Sequence, residues 1–309
     1  MRDANEDVTQ AQEGKGEPAL RAFLTNCLVG GHTTSEHEGT WYRDTITFEL
    51  EGRAFVLKQH ADVIRDRRNF VGIQAVTSEV LVFPVTPTDV EEVLTVIERL
   101  CWLLSLACLS PVSIHGHDYP AGKFGGARHT TVGVGQYFRP TIHIRDGAAV
   151  KSFVEQTYPA FVHLEDTRQL KVVIDYLNQA ETDHLPTECQ LVFACVLLEN
   201  LKHSYAVEVG IPFVKGHFRV SNNPKADTVA FSALLTKMFQ AVGMKPVLKP
   251  IVEFRNTLLH QGLSGKSHQE NDVMYDKMHD VLREYLLRLL DFHGSFPTYA
   301  SRGNAQMQI

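Results

Sequence analysis

The sequence predicts an α+β N-terminal domain followed by an all-α helical bundle. Its 309 residues exceed the ~100–200 residues of a typical single domain, so two domains are expected. Strand and turn patterns dominate as far as about residue 145, whereas helical periodicity fills nearly every later segment. The expected divisions are a disordered tail at 1–20, the α+β domain at 21–147, the bundle at 148–296 and a C-terminal tail at 297–309.

The strands of the first domain are predicted from alternation. Thr45–Leu50 alternates apolar and polar residues, and Ala54–Gln59 resumes the pattern after a Glu-Gly-Arg turn, which is typical of a β-hairpin. Glu79–Val85 predicts another strand, placed at a sheet edge because Pro84 cannot donate a backbone hydrogen bond. Two short strands are expected in TTVGVG and TIHIR, between residues 130 and 145.

One long helix is expected within this sheet domain. Thr88–Glu91 has the pattern of a capping box, and apolar residues recur at helical spacing from Val90 to Cys108. The most apolar run, Leu100–Leu109, has about half of the ~20 residues that a membrane span requires. We therefore expect a buried helix packed on the sheet, and no membrane association.

Six helices are expected in the second domain, at 148–158, 165–182, 186–208, 225–242, 249–262 and 269–293. The third is apolar almost all round, which favours a position at the centre of the bundle. The last carries a broad apolar stripe that includes Val273, and Gly294 is expected to end it in the left-handed conformation.

Composition and charge limit the possible functions. With 44% hydrophobic and 21% charged residues, the chain is an ordinary globular protein. A formal net charge of −6 excludes a protein that coats nucleic acid through bulk positive charge, so any polyanion site must be local. The five cysteines are scattered, mostly within apolar runs, and the first residues form no apolar signal segment. Both features favour a cytoplasmic protein with buried free cysteines.

The most informative segment is 252–262. On a helical projection Arg255 falls near the middle of an apolar arc, where an unpaired guanidinium is costly because it cannot lose its charge. Glu199, set in the apolar third helix, is the best candidate partner because it presents the same problem with the opposite sign. Asn256 and His260 are four residues apart and project from one face, so arginine, amide and imidazole could converge on one cleft.

Spacing alone favours a structural interpretation of this segment. A buried Arg255–Glu199 pair would hold two helices together, and His260 would lie near a helix end where the dipole favours it.

A family resemblance changes that balance. RNTLLH, from Arg255 to His260, matches the R-N-x3-H form of the R-x4-6-H motif of HEPN domains, which are helical bundles found in ribonuclease toxins, CRISPR-associated RNases and abortive-infection proteins. The motif lies late in a helix, before a glycine-containing loop at 261–269 and a long helix ending REYLLRLLDFHGSF, which resembles the C-terminal helix of ApeA-like HEPN proteins. The resemblance covers approximately residues 150–295. Some HEPN toxins place a tyrosine two residues after the histidine, where this chain has Gly262, so tyrosine-dependent chemistry is not implied.

The resemblance implies a metal-independent endoribonuclease, a hydrolase without a cofactor that cleaves RNA through attack of a 2′-OH. HEPN sites are generally composite, so a homodimer is expected. His260 would perform the acid–base work, Arg255 would bind the phosphate, Asn256 would orient it and Glu199 would hold the guanidinium. The implied context is antiviral defence by abortive infection or toxin-like growth arrest.

The segment around Arg255 is also locally basic, as an RNA backbone would require, and a solvated charged face would show the same pattern. Its three lysines, set against the single Glu253, are Lys245, Lys249 and Lys266. The resemblance implies further partners. The N-terminal domain would be a sensor or recognition module, and a regulatory protein or a phage-derived trigger would control activity.

Two other functions remain open from the sequence. The bundle could be a non-catalytic HEPN scaffold, or a nucleotide- or RNA-binding module of a larger complex. The first domain could instead be a metal-dependent enzyme that uses His115, His117 and Asp118, since histidines two apart share a strand face. Beyond the two histidines no third and fourth metal ligand is evident in the sequence, so no metal is expected.

Overall fold

A computed structural model describes residues 18–128, 133–300 and 305–309 of the chain. It divides into two compact units between Tyr158 and Pro159. This division falls inside a helix, whereas the sequence placed the change of domain between 147 and 148, where that helix begins. Most of the tail expected at 1–20 lies outside the described residues.

The first unit contains a seven-stranded sheet in which every neighbouring pair is antiparallel, in the order β2-β3-β4-β5-β1-β6-β7. Its strands are β1 (Leu20–Thr25), β2 (Thr33–His37), β3 (Thr40–Leu50), β4 (Arg53–Gln59), β5 (Val76–Val82), β6 (Ser113–Asp118) and β7 (Phe124–Ala127). The predicted hairpin is confirmed as β3–β4. Its two turn residues, Glu51 and Gly52, have φ of 49° and 75°, as a tight hairpin turn requires.

Helices of the first unit are α1 (Ala61–Arg65), a 3₁₀ turn (Arg67–Phe70), α2 (Val90–Cys108) and the beginning of α3 (Gly147–Leu164). The predicted long helix is confirmed as α2, which packs against β1 and β6 and buries Leu100 and Leu104 completely. Among the described residues no helix has both the length and the apolarity to cross a bilayer.

Three predictions for the first unit were wrong. The capping box does not form: Asp89 is the N-cap, and its carboxylate accepts a hydrogen bond from Arg53 Nη2 at 3.0 Å instead of capping the helix. β5 is a central strand between β4 and β1, and Pro84 lies beyond its end, where no ladder bond is lost. TIHIR forms no strand, and TTVGVG lies partly outside the described residues.

Helices of the second unit are α4 (Leu170–Ala180), α5 (Thr187–Glu208), α6 (Phe231–Ala241), α7 (Leu248–Gln261) and α8 (His268–Leu289). The predicted central position of the third helix is confirmed, because α5 contacts α4, α6, α7 and α8. α6 begins at Phe231 and not at residue 225. Residues 225–230 are not helical, and Thr228 among them forms a bridge with Arg219. Arg219 directly follows a short hairpin made of β8 (Phe213–Val214) and β9 (His217–Phe218).

The last helix differs from prediction at both ends. A capping box that the sequence analysis missed starts it, in which Ser267 Oγ accepts from the backbone of Glu270 while the Glu270 carboxylate accepts from the backbone of Ser267. Val273, predicted on the buried stripe, is 49% exposed. The left-handed residue after the helix is Asp291, with φ of 59°, rather than Gly294.

The C-terminal segment predicted as a tail from residue 297 contains paired backbone. β10 (Ser295–Pro297) pairs with β11 (Gln306–Gln308). Cysteines also differ from expectation in one case, since Cys189 is exposed whereas the other four are buried.

Candidate functional site

The site is built on α7. Its buried side is formed by Ile251, Phe254 and Leu258, which recur at helical spacing and hold the helix in the bundle. Gly262 ends the helix with φ of 74°, and its backbone N–H donates to the carbonyl of Leu258. The 255–260 segment therefore occupies the last two turns of a helix whose end is closed by a glycine.

Arg255 pairs with Glu199, as the sequence predicted. Nη2 of the guanidinium donates to Glu199 Oε1, and the guanidinium carbon lies 4.6 Å from the centroid of the Phe231 ring. The Arg255 side chain is only 18% exposed and that of Glu199 30%. The Arg255 side chain is thus mostly buried but still reaches solvent. The ion pair by itself is compatible with a structural role and with a functional one.

A second cation shares the same carboxylate. Lys202 Nζ lies 2.9 Å from Glu199 Oε2, one helical turn along α5, and 5.2 Å from the Phe231 centroid. Two positive charges therefore meet a single negative one. The sequence analysis missed Lys202, although its i,i+3 spacing from Glu199 is the signal that places both on one face of α5.

Asn256 and His260 lie on the exposed side of α7. Asn256 Oδ1 accepts a hydrogen bond from Arg255 Nη1 at 2.8 Å. His260 is exposed, and among the described residues no hydrogen bond or ion pair to its ring is found. Within one chain the three side chains do not meet: Arg255 and Asn256 are hydrogen-bonded to each other, but His260 projects about 140° round the helix from Arg255, because the two residues are five apart.

The three predicted RNA-binding lysines are all exposed. Two of them face carboxylates one turn away, with Lys249 Nζ 3.9 Å from Glu253 and Lys266 Nζ 3.6 Å from Glu270. Such exposed pairs are weak and leave both ammonium groups available to another anion.

A cavity of about 490 Å³ adjoins Arg255. We call it the hairpin cavity because β8–β9 forms one wall. Its lining includes Glu199, Lys202, His203, Phe213, His217 and Arg255. His260 and Asn256 are not part of the lining.

The aromatic and histidine members of this lining were missed by sequence analysis. The available signal was local: Phe213 and Phe218 flank a Lys-Gly pair that makes a two-residue hairpin turn. His203 lies four residues after Glu199 on the same face of α5.

A second charged cluster in this unit is fully buried. Arg283 Nη2 donates to Glu181 Oε1, and His279 Nδ1 lies 2.6 Å from the same oxygen. Tyr275 donates to Glu181 Oε2 at 2.7 Å. Burial raises the pKa of Glu181, but the charges of Arg283 and His279 outweigh it and hold that pKa at about 2. The side chains of Glu181, His279 and Arg283 are at most 1% exposed, so this cluster is structural.

Of the possible metal-binding residues of the first unit, His117 packs against the backbone of its own sheet. His117 is buried, and a Cβ placed on Gly125 would lie 2.7 Å from its ring, so the ring rests on bare backbone. Burial lowers the pKa of His117. Within the described ranges no group of three or more possible ligands lies close enough to hold a metal ion.

A serine, a histidine and an aspartate meet on β2 and β3, which the sequence analysis did not anticipate. His37 Nε2 lies 2.9 Å from Ser35 Oγ and 3.0 Å from Asp44 Oδ2. A catalytic triad needs serine and aspartate on opposite ring nitrogens, whereas here both contact the same one. These three side chains therefore link β2 to β3 by hydrogen bonds and do not form a catalytic triad.

Comparisons of the chain with family models, with characterised proteins and with solved structures found no match.

Proposed function

We propose that the chain is a metal-independent endoribonuclease whose second unit is a HEPN-type helical bundle. The observation that carries the proposal is the state of Arg255, which is held by Glu199 at the edge of a cavity while His260 lies exposed one and a half turns further along the same helix. The succession of elements supports the same family: α7 ends at a glycine, a short loop follows, and the long α8 comes after it.

The chemistry needs three roles. A base removes the proton of the ribose 2′-OH, whose oxygen bonds to the adjacent phosphorus. The bond from phosphorus to the 5′-oxygen breaks, and an acid delivers a proton to that oxygen. The products are a 2′,3′-cyclic phosphate and a 5′-hydroxyl. Arg255 is suited to stabilising the charge on the phosphorane, and His260 to transferring protons.

One chain supplies these groups on different sides of α7. A homodimer that places two α7 helices against each other would bring His260 of one protomer to Arg255 of its partner and provide two imidazoles for the two proton transfers. The exposed positions of Asn256 and His260 are compatible with such a face. In this arrangement Lys245, Lys249 and Lys266 would lie along the RNA backbone.

The biological setting is inferred from the family alone: a cytoplasmic RNase of antiviral defence, abortive infection or toxin-like arrest. The first unit would then be a sensor or recognition module, and a regulatory protein or phage-derived trigger would act through it.

A non-catalytic nucleotide- or RNA-binding module is the second candidate. It is favoured by the hairpin cavity, whose cations and rings suit a nucleotide, and by the lack of a partner for the His260 ring among the described residues.

The decisive experiment incubates the purified full chain with RNA in the presence of a metal chelator and analyses the product ends. Cleavage leaving 2′,3′-cyclic phosphate is expected, with losses of roughly 10²–10⁴-fold for His260→Ala and roughly 10²–10³-fold for Arg255→Ala. His268→Ala is the matched control, because His268 is 84% exposed at the start of α8 and should retain full activity. Cleavage that survives His260→Ala, or that stops on chelation, would overturn the mechanism.

The composite site has its own test. Mixing inactive Arg255→Ala protein with inactive His260→Ala protein allows mixed dimers, in which one protomer supplies the histidine and the other the arginine. Recovery of cleavage is expected but only in part, because the mixed dimer holds one imidazole and one guanidinium, and water must take over the second proton transfer. A site contained within one chain would recover nothing, since each protomer still lacks one group.

A further inference from the structure

We propose that the hairpin cavity binds one nucleotide of an RNA strand, with its phosphate at Lys202 and Arg255 and its base on the ring of Phe213. The inference rests on the proposed function in so far as Arg255 serves both. It assigns the cavity to a nucleotide next to the cleaved bond.

The charge of the cavity favours an anion. Lys202 and Arg255 both lie over the Phe231 ring, at 5.2 and 4.6 Å from its centroid, and both are tied to Glu199. Glu199 is the one acidic residue in the described lining, so two cations share a single countercharge. The Lys202 side chain is only 13% exposed, where a partly compensated ammonium gains more from a bound phosphate than it would in water.

The cavity also offers an aromatic surface. His203, Phe213 and Phe218 form a cluster with centroid separations of 5.2 Å for His203–Phe213, 5.1 Å for His203–Phe218 and 4.8 Å for Phe213–Phe218. Phe218 is buried, but Phe213 is 51% exposed at the rim. An exposed ring held by neighbouring rings is a platform on which any base can stack.

The platform is fixed by the fold. Phe218 packs with Ala206 and Leu234 in a small buried cluster beneath the cavity. The hairpin turn is made by Lys215 and Gly216, with φ of 52° and 80°, which is the left-handed pair that a two-residue turn needs. The hairpin therefore presents Phe213 from a base that is anchored in the core of the unit.

Size and chemistry together indicate a nucleotide rather than a simple anion. About 490 Å³ lies within the range of small-molecule sites, and inorganic phosphate would leave the aromatic rim unused. A nucleoside without phosphate would leave Lys202 and Arg255 with their single shared carboxylate.

The test titrates the full chain calorimetrically with each ribonucleoside 5′-monophosphate, with the matching nucleosides and with inorganic phosphate. Nucleotides are expected to bind at least tenfold more tightly than either part alone. Lys202→Met and Phe213→Leu should each weaken nucleotide binding by roughly tenfold, while Lys202→Arg and Phe213→Tyr should restore most of it. Matched controls are Lys225→Met, an exposed lysine outside the lining, and Phe124→Leu, an exposed phenylalanine of the first unit.

The outcomes separate this inference from the proposed activity. His260→Ala should reduce cleavage by roughly 10²–10⁴-fold and leave nucleotide binding intact. Binding with the expected variant pattern in a protein that cleaves no RNA would retain the cavity and refute the nuclease. Cleavage that depends on His260 but is unaffected in KM by Lys202→Met and Phe213→Leu would refute the cavity assignment, as would phosphate binding as tightly as nucleotide, or no nucleotide binding at millimolar concentrations.

Discussion

The second unit contains two arginine–glutamate pairs, one fully buried and one at the edge of a cavity. In both pairs a glutamate compensates the charge of an arginine that packing withdraws from water. Arg283 and Glu181 are fully buried, and Tyr275 and His279 complete their surroundings. Arg255 and Glu199 remain partly exposed at the edge of a cavity, where Lys202 adds a second positive charge. The two pairs therefore differ in solvent access and in countercharge: Arg283 and Glu181 lie inside the core, whereas Arg255 and Lys202 share one carboxylate beside a cavity.

The buried pair also ties down the C-terminal segment. The Arg283 guanidinium lies 4.7 Å from the Tyr299 centroid, and Asp280, which accepts from Arg283 Nη1 at 3.1 Å, also accepts from the backbone of Tyr299 and Ala300. The side chains of Arg283 and Glu181 are at most 1% exposed, so the pair has almost no access to solvent. Through Arg283 and Asp280, α8 therefore holds Tyr299 and Ala300 in place.

Removing one arginine at a time should give the largest contrast. Arg283→Met strands the Glu181 carboxylate in the core and should reduce the free energy of unfolding by about 3–5 kcal/mol. Arg255→Met leaves Glu199 paired with Lys202 near solvent and should cost about 1 kcal/mol or less. Denaturant unfolding monitored by circular dichroism measures both. Equal losses would mean that the two pairs have the same structural role.

The second-largest expected effect is a loss of stability at low pH, through protonation of Glu181 in the buried pair. Folding depresses the pKa of Glu181 from its ordinary value near 4.5 to about 2. A depressed carboxyl contributes stability that is complete above the unfolded pKa and is lost as pH falls through the folded one, so this contribution should decline between about pH 4.5 and 2. Glu181→Gln, compared with wild type by urea unfolding across pH 3–7, should show a shallower loss in that acid range. An unchanged pH profile in the variant would show that Glu181 is not the titrating group.

The smallest expected effect concerns the glycine that ends α7. Gly262→Ala should cost about 1 kcal/mol, because the left-handed backbone strains a Cβ although nothing lies within 4 Å of it. Gly243→Ala is the matched control, with φ of 75° and equally open space after α6. Both variants should lose similar stability in thermal unfolding, but only Gly262→Ala should also reduce RNA cleavage, since it disturbs the turn that carries His260. If the two variants cleave RNA equally well, the geometry of the α7 end does not affect the catalytic site.

Sequence reasoning succeeded where the information is local. Alternation around the Glu51-Gly52 turn predicts the β3–β4 hairpin, because turn chemistry and strand period involve neighbouring residues only. The all-round apolar pattern of α5 predicts its central position for the same reason. Arg255 in an apolar arc and Glu199 in an apolar helix are each conspicuous alone, so their pairing was predictable.

Sequence reasoning failed where the burial of a residue depends on segments far away along the chain. Arg283 lies at the edge of the α8 stripe, and its complete burial requires Glu181 and Tyr299 from other segments. Val273 was assigned to the buried stripe because a projection shows which residues share a face but not where the neighbouring helices stop.

By itself, then, the amino-acid sequence determined a sheet-containing first part, a helical second part and an arginine in need of a carboxylate, because periodicity and charge are written in short stretches of chain. Only the tertiary structure decided that Arg283 is sealed whereas Arg255 borders a cavity, that Lys202 shares Glu199, and that Phe213 stands at the rim. Solvent access and countercharge are properties of segments brought together from far along the chain, and no local pattern records which segments will meet.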